Sequence, residues 1–332
     1  MTDLRIDMHS HYYGGILPEM LRARDDYPRL RRLPDGSDSM LAMNGEFPFA
    51  ASYHYPAVGL AQMDAAGITH RMITFPGALG VDLLPAEAAP AISAFNAHLA
   101  QLGADTRGRL IGLAGLPLAD TALALRELAA IRALGLPGII LPGNYFLTEE
   151  AAAPLRPILA EAARLGALVM IHPGLLVGQP PPVLPQDHPQ YRTSALDLQN
   201  QIAHTALTVI LSDMLETYPG IRFQIVNLGG TLPFILERLE SIARHRNPSA
   251  PFPTDRLRAL WYDCASLGPR ALETAVDVLG ADRLMLGSDY PIFKENPVDV
   301  VATARLTARQ KRQVLGQTAA QLLAGLGVGP LA

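Results

Sequence analysis

Short apolar runs alternate with longer amphipathic stretches along almost the whole chain, and this rhythm constrains the fold more than any single motif. The runs read as strands cover residues 4–8, 71–75, 110–116, 138–141, 168–171, 223–226, 260–262 and 284–287. Helical periodicity fills the intervals at 57–66, 87–103, 121–134, 149–165, 194–216, 232–244 and 270–279, and a pair near 298–305 and 308–323 closes the chain. Eight strands, each followed by a helix, is the count of a TIM barrel. The competing open, doubly wound sheet usually has fewer strands and often a glycine-rich phosphate turn after the first one. Here the first strand runs instead into His-Ser-His-Tyr-Tyr-Gly-Gly. The expected fold is therefore α/β, a (β/α)8 barrel spanning 1–332 as one domain, with an insertion over the site at 12–55.

Composition narrows the functional classes. Apolar residues make up 49% of 332, enough for a large core, and a formal net charge of −4 leaves no basic stripe for nucleic acid. No run of apolar residues approaches the length of a membrane span. The N-terminus lacks the basic and apolar regions of a signal peptide. Cys264 is the single cysteine, so no internal disulfide can form and a reducing compartment fits. A soluble cytoplasmic protein is expected. Two segments break the alternation: the 12–55 insertion, and a proline-rich excursion at 173–190 with Pro180, Pro181, Pro182, Pro185 and Pro189. Both leave the C-terminal ends of strands, where barrel enzymes build their sites, and both are read as walls of an active site.

The chemistry gathers at those same ends. His9 and His11 lie two apart on the first strand, so both imidazoles share one face and form a half-site for a divalent metal. The fifth strand ends in Ile171-His172-Pro173-Gly174 and the eighth in Gly287-Ser288-Asp289-Tyr290. Each alone is weak, since a strand-end aspartate often caps the next helix. Together they place three imidazoles and one carboxylate at one mouth, a set that suits Zn²⁺ with a position left open.

With these residues in view the chain resembles the amidohydrolase superfamily, in the branch of aminocarboxymuconate semialdehyde decarboxylase and the resorcylate decarboxylases. The likeness rests on His9-x-His11, Met63-Asp64-Ala65-Ala66-Gly67-Ile68, Ile171-His172-Pro173-Gly174, Leu228-Gly229-Gly230-Thr231-Leu232-Pro233-Phe234 with Arg238, Trp261-Tyr262-Asp263, and Gly287-Ser288-Asp289-Tyr290-Pro291. It implies that His9, His11, His172 and Asp289 are metal ligands, usually for zinc and sometimes for manganese. It also implies that Arg238 reaches across a homodimer toward a substrate carboxylate. The competing reading of Arg238 is a surface ion pair with Glu237 or Glu240.

One position departs from that pattern. The resemblance implies a proton-handling histidine at the end of the sixth strand, where this chain carries Asn227 before Leu228-Gly229-Gly230. An amide does not titrate near neutral pH, although it can hydrogen-bond to substrate. Proton transfer then falls to Asp289, with His54, His188 and His204 as further candidates. Tyr12, Tyr13, Tyr53, His54 and Tyr55 in the insertion either line the pocket or pack beneath the loop. Asp263 either orients a metal-binding histidine or caps the following helix. Asp7 is expected in the outer layer and Cys264 as a buried, inert thiol. The basic stretches 29–32 and 244–246 read as solvated loops. The leading functional reading is a metal-dependent lyase that decarboxylates a small aromatic or unsaturated acid. The alternatives are a hydrolase of a lactone, amide or C–C bond, and a binder of small acids without turnover.

Overall fold

The computed structural model describes residues 4–25, 27–42, 45–74, 76, 85–180, 183–329 and 331. Parallel strands β1 (Ile6–Asp7), β5 (His70–Thr74) and β6 (Leu110–Leu113) form one sheet. A second runs in the order β11 (Leu284–Met285), β10 (Trp261–Asp263), β9 (Arg222–Ile225), β8 (Leu168–His172) and β7 (Gly138–Pro142). Parallel bridges Ala114–Ile139 and Asp7–Leu286 join the two sheets at both edges. The eight strands thus close into a ring, in the order read from the sequence. Phe75, Pro181 and Pro182, which belong to the expected strand and excursion above, lie outside the described residues.

The strands read as near-continuous apolar runs because both of their faces are covered. Leu168, Val169, Met170 and Ile171 are at most 1% exposed. The surrounding helices carry one apolar stripe each. Helix Arg156–Leu165 buries Ile158, Leu159 and Ala162 and stops at Gly166, whose φ of 62° is left-handed. Helix Thr121–Ile131 starts where the Asp120 side chain accepts from the Leu123 amide. The long helix expected at 194–216 is shorter: a π turn over Arg192–Asp197 precedes helix Leu198–Leu211, and Ser212 leaves helical geometry.

The insertion is more regular than expected. It contains an antiparallel sheet of β2 (Arg29–Arg32), β3 (Asp38–Ala42) and β4 (Gly45–Phe49). The stretch 29–32, expected as a solvated loop, is a strand that buries Leu30 (2% exposed) while Arg31 and Arg32 face outward to Glu46 and Asp38. Three arginines around one leucine hide the period of two that marks a half-buried strand. Residues 244–246 are likewise not a loop but the last turn of helix Leu232–Arg246. Among the described residues, no helix is long and apolar enough to cross a membrane.

Candidate metal centre

β1 continues past Asp7 as an extended segment clamped on both sides. Ser10 bridges Tyr290 and His11 bridges Thr74, while the His11 amide donates to the Tyr290 carbonyl at 2.6 Å. These contacts hold His9 and His11 against the ends of β5 and β11. The Asp289 amide donates to the His9 carbonyl at 2.8 Å, tying the eighth strand end to the first.

Each imidazole is fixed through Nδ1. His9 Nδ1 lies 2.9 Å from Asp263 Oδ1, with both side chains fully buried. His11 Nδ1 lies 3.0 Å from Thr74 Oγ1. That hydroxyl spends its proton on the Ser10 carbonyl, so it accepts from the ring. His172 Nδ1 donates to the Pro173 carbonyl at 2.9 Å. With Nδ1 the donor in all three, Nε2 is the atom left to bind a cation. The three rings meet edge to face, with centroids 4.7–5.3 Å apart. One donor atom from each of His9, His11, His172 and Asp289 lies within 4.8 Å of the others. His9 Nε2 is buried with no hydrogen-bond partner. Such a nitrogen facing two other imidazoles and a carboxylate fits a divalent cation and is poorly explained by packing alone.

The electrostatics agree. Burial pushes His9 down, but Asp263 above all, with Asp289 and Asp7, outweighs it and raises the pKa to about 9. His172 lies well below its ordinary value, through burial and then through the neighbouring His11 and His9. Burial would raise Asp289; the hydrogen bond from His11 and the charges of the three histidines hold it below the usual carboxylate range. The cluster therefore offers a carboxylate and the neutral imidazole of His172, and His9 joins them once its proton leaves, the donor set of a borderline metal.

Asp263 is the hub beneath His9. It also accepts from Gln224 Nε2 (2.9 Å), the Asn227 amide (3.2 Å) and the Ala265 amide (3.1 Å). Helix Pro269–Leu279 starts from Gly268 with no side-chain cap, so the capping alternative for Asp263 falls away. Asn227 lies two residues past the end of β9, is 3% exposed and adopts a left-handed φ of 51°. Its Nδ2 donates to Ser266 Oγ at 2.7 Å, and its Oδ1 is buried without a partner.

The aromatic residues of the insertion divide. Tyr12 is buried and hydrogen-bonds His98 at 3.1 Å, on the side of helix Pro85–Asp105. Tyr13 and Tyr53 pack edge to face, 5.6 Å between centroids. Burial raises both phenols, and the Asp289 charge adds to the shift in each. His54 stacks on Phe49 at 4.8 Å. His188 and His204, candidates for proton transfer, are exposed instead. Arg238 is exposed on helix Leu232–Arg246 and forms no ion pair among the described residues. Glu240 serves Arg244 and Thr254 instead. Arg71 escaped the sequence reading, and Asp7, expected in the outer layer, instead lies inside, accepting from the His9 and Ser288 amides on the way to the cluster. Asp7 is fully buried and pairs with Arg71 at 2.7 Å. The one hint was an arginine within the apolar run at 71–75.

A family model described as amidohydrolase matches residues 6–324. The chain belongs to the amidohydrolase family. Over 304 residues it is 27% identical to 2-amino-3-carboxymuconate-6-semialdehyde decarboxylase of Dictyostelium discoideum, covering 87% of this chain and 82% of that protein. Among solved structures it is similar to the Metarhizium anisopliae IDCase in apo form, with a TM-score of 0.82 and 19% identity over 99% of this chain and 98% of that one. It is also similar to the dihydroxybenzoic acid decarboxylase of Polaromonas sp. JS666 with bound manganese and 2-nitroresorcinol. There the TM-score is 0.71, with 20% identity over 97% of each chain. These structural likenesses establish the barrel architecture of this amidohydrolase.

Proposed function

We propose that this protein is a metal-dependent carboxy-lyase that removes CO₂ from a small aromatic or unsaturated carboxylic acid. The observation that carries the reading is the convergence of His9, His11, His172 and Asp289 within 4.8 Å, every imidazole held through its Nδ1. The decarboxylase relatives of the family support the choice of reaction. Zinc is the preferred ion; manganese, present in the Polaromonas decarboxylase, is the second candidate. His9, His11, His172 and Asp289 would hold the cation, which would supply Lewis-acid chemistry to the substrate.

In the proposed reaction the C–C bond to the carboxylate breaks, its electron pair stays on the substrate carbon, and a proton takes the place of CO₂. Asp289 is assigned to relay that proton from solvent to the substrate carbon, ending each cycle as the carboxylate it began as. Asn227 contributes an amide hydrogen bond and no proton. Tyr53 and His54, packed with Phe49, form an aromatic wall suited to a planar substrate. The 12–55 segment covers the mouth of a single barrel domain. Exposed Arg238 is assigned to the site of a second copy in a homodimer, where it pairs with a substrate carboxylate. A cytoplasmic location suits the single buried thiol of Cys264.

One observation favours a second reading. A titratable group is missing at Asn227, which fits a protein that binds a small acid without turning it over. Assaying purified protein with zinc or manganese against hydroxybenzoates for CO₂ release, and against lactones and esters for acid release, separates the cases. CO₂ release supports the lyase, acid release a hydrolase, and binding without either product the non-catalytic reading.

A further inference from the structure

Arg71 is an arginine in the β1–β5 pairing, opposite Asp7, and its side chain is only 1% exposed. Burying a guanidinium costs free energy unless it is paired and hydrogen-bonded. Its contacts with Asp7 and Tyr290 lead toward the metal cluster, while Nη1 is buried without a hydrogen-bond partner. Nε donates to Asp7 Oδ2 at 2.7 Å, and Nη2 donates to Gln62 Oε1 at 2.7 Å, on helix Pro56–Ala66. The guanidinium carbon lies 4.5 Å from the centroid of the Tyr290 ring. Asp7 in turn accepts from Ser288 Oγ (2.6 Å), the Ser288 amide (3.0 Å) and the His9 amide (3.2 Å). One buried ion pair therefore grips the residues on both sides of Asp289 and the backbone of His9.

Asp289 needs such a grip. Its φ of 56° lies in the left-handed region, which a residue with a β-carbon adopts at a cost and keeps only where the surroundings over-determine it. We propose that Arg71, acting with Asp7, is a positioning residue that fixes the 288–290 turn. It thereby sets the 3.7 Å separation between Asp289 Oδ1 and His9 Nε2, two of the atoms that would hold a cation. The planar fork and flat face are both used, so lysine is not an equivalent. This inference rests on the proposed cation and not on the decarboxylation.

The test is Mn²⁺ binding to chelator-stripped full-length protein, followed by the electron paramagnetic resonance of free and bound ion, beside the melting temperature of the metal-free form. Arg71→Lys is expected to raise the Mn²⁺ dissociation constant about 10–100-fold and to alter the spectrum of the bound ion. Tyr290→Leu leaves the Asp7–Arg71 pair intact and is expected to raise it about fivefold. Arg109→Lys, whose side chain pairs with solvent-exposed Asp64 and touches none of these residues, is expected to bind like wild type. A melting temperature that falls while affinity and spectrum stay within about twofold of wild type makes Arg71 merely structural and overturns the proposal. Should Arg71→Lys not fold, Tyr290→Leu decides by the same criterion. Failure of the wild type itself to bind Mn²⁺ removes the cation, and the positioning role with it; binding by wild type and variants alike removes the positioning role alone.

Discussion

Replacing Asp263 by asparagine removes a charge from beneath the metal cluster with little change in shape. Burial alone pushes His9 down, yet the Asp263 carboxylate leads the charges that raise it from 6.5 to about 9. That rise corresponds to about 3 kcal/mol favouring the imidazolium in the folded, metal-free protein. Because the folded value lies above the unfolded one, this contribution is complete below pH 6.5 and is lost as pH climbs through about 9. Metal-free wild type should therefore lose about 3 kcal/mol of unfolding free energy between these limits, and Asp263→Asn less than about 1. The same proton must leave His9 when a cation takes Nε2, so wild-type metal affinity should tighten with pH up to about 9 and that of the variant much less. Urea titrations of chelator-treated protein, read by the fluorescence of the single tryptophan Trp261, measure the first effect; calorimetric metal titrations measure the second. An undiminished pH dependence in Asp263→Asn, in both assays, would refute the assignment of the His9 proton to this carboxylate.

His172→Ala should abolish stoichiometric metal binding and turnover together, and a variant that keeps full activity contradicts the ligand set. Asn227→Ala should lower kcat/KM about tenfold while leaving the pH–rate profile in place, since an amide does not titrate; Asn227→His should add an ionisation near neutral pH. A shifted profile in the alanine variant would show that the amide tunes a titrating group. Tyr53→Ala should raise KM for aromatic acids about tenfold with metal content unchanged, and an unchanged KM would remove Tyr53 from the pocket wall.

The barrel was legible because its signal repeats. The run 168–171 falls within one residue of the strand Leu168–His172, and 270–279 within one of the helix Pro269–Leu279. His9, His11, His172 and Asp289 were legible for a related reason. A polar residue ending an apolar strand has few structural uses, and the barrel sends all such ends to one mouth. The β2–β4 sheet was not legible, because Arg29, Arg31 and Arg32 mask the alternation around Leu30. Arg71 was missed because a charged residue within a strand looks like a solvent-facing position until Asp7, Gln62 and Tyr290 are seen around it. The role of Asp263 stayed open in the sequence, since nothing local tells a helix cap from a carboxylate that holds a histidine 254 residues away.

The most direct test of the central claim is anomalous diffraction, at the zinc and manganese edges, from crystals of protein purified without chelator. The account predicts one peak about 2.0–2.2 Å from the Nε2 atoms of His9, His11 and His172 and from a carboxylate oxygen of Asp289. Crystals soaked in either ion that show no peak there would contradict it.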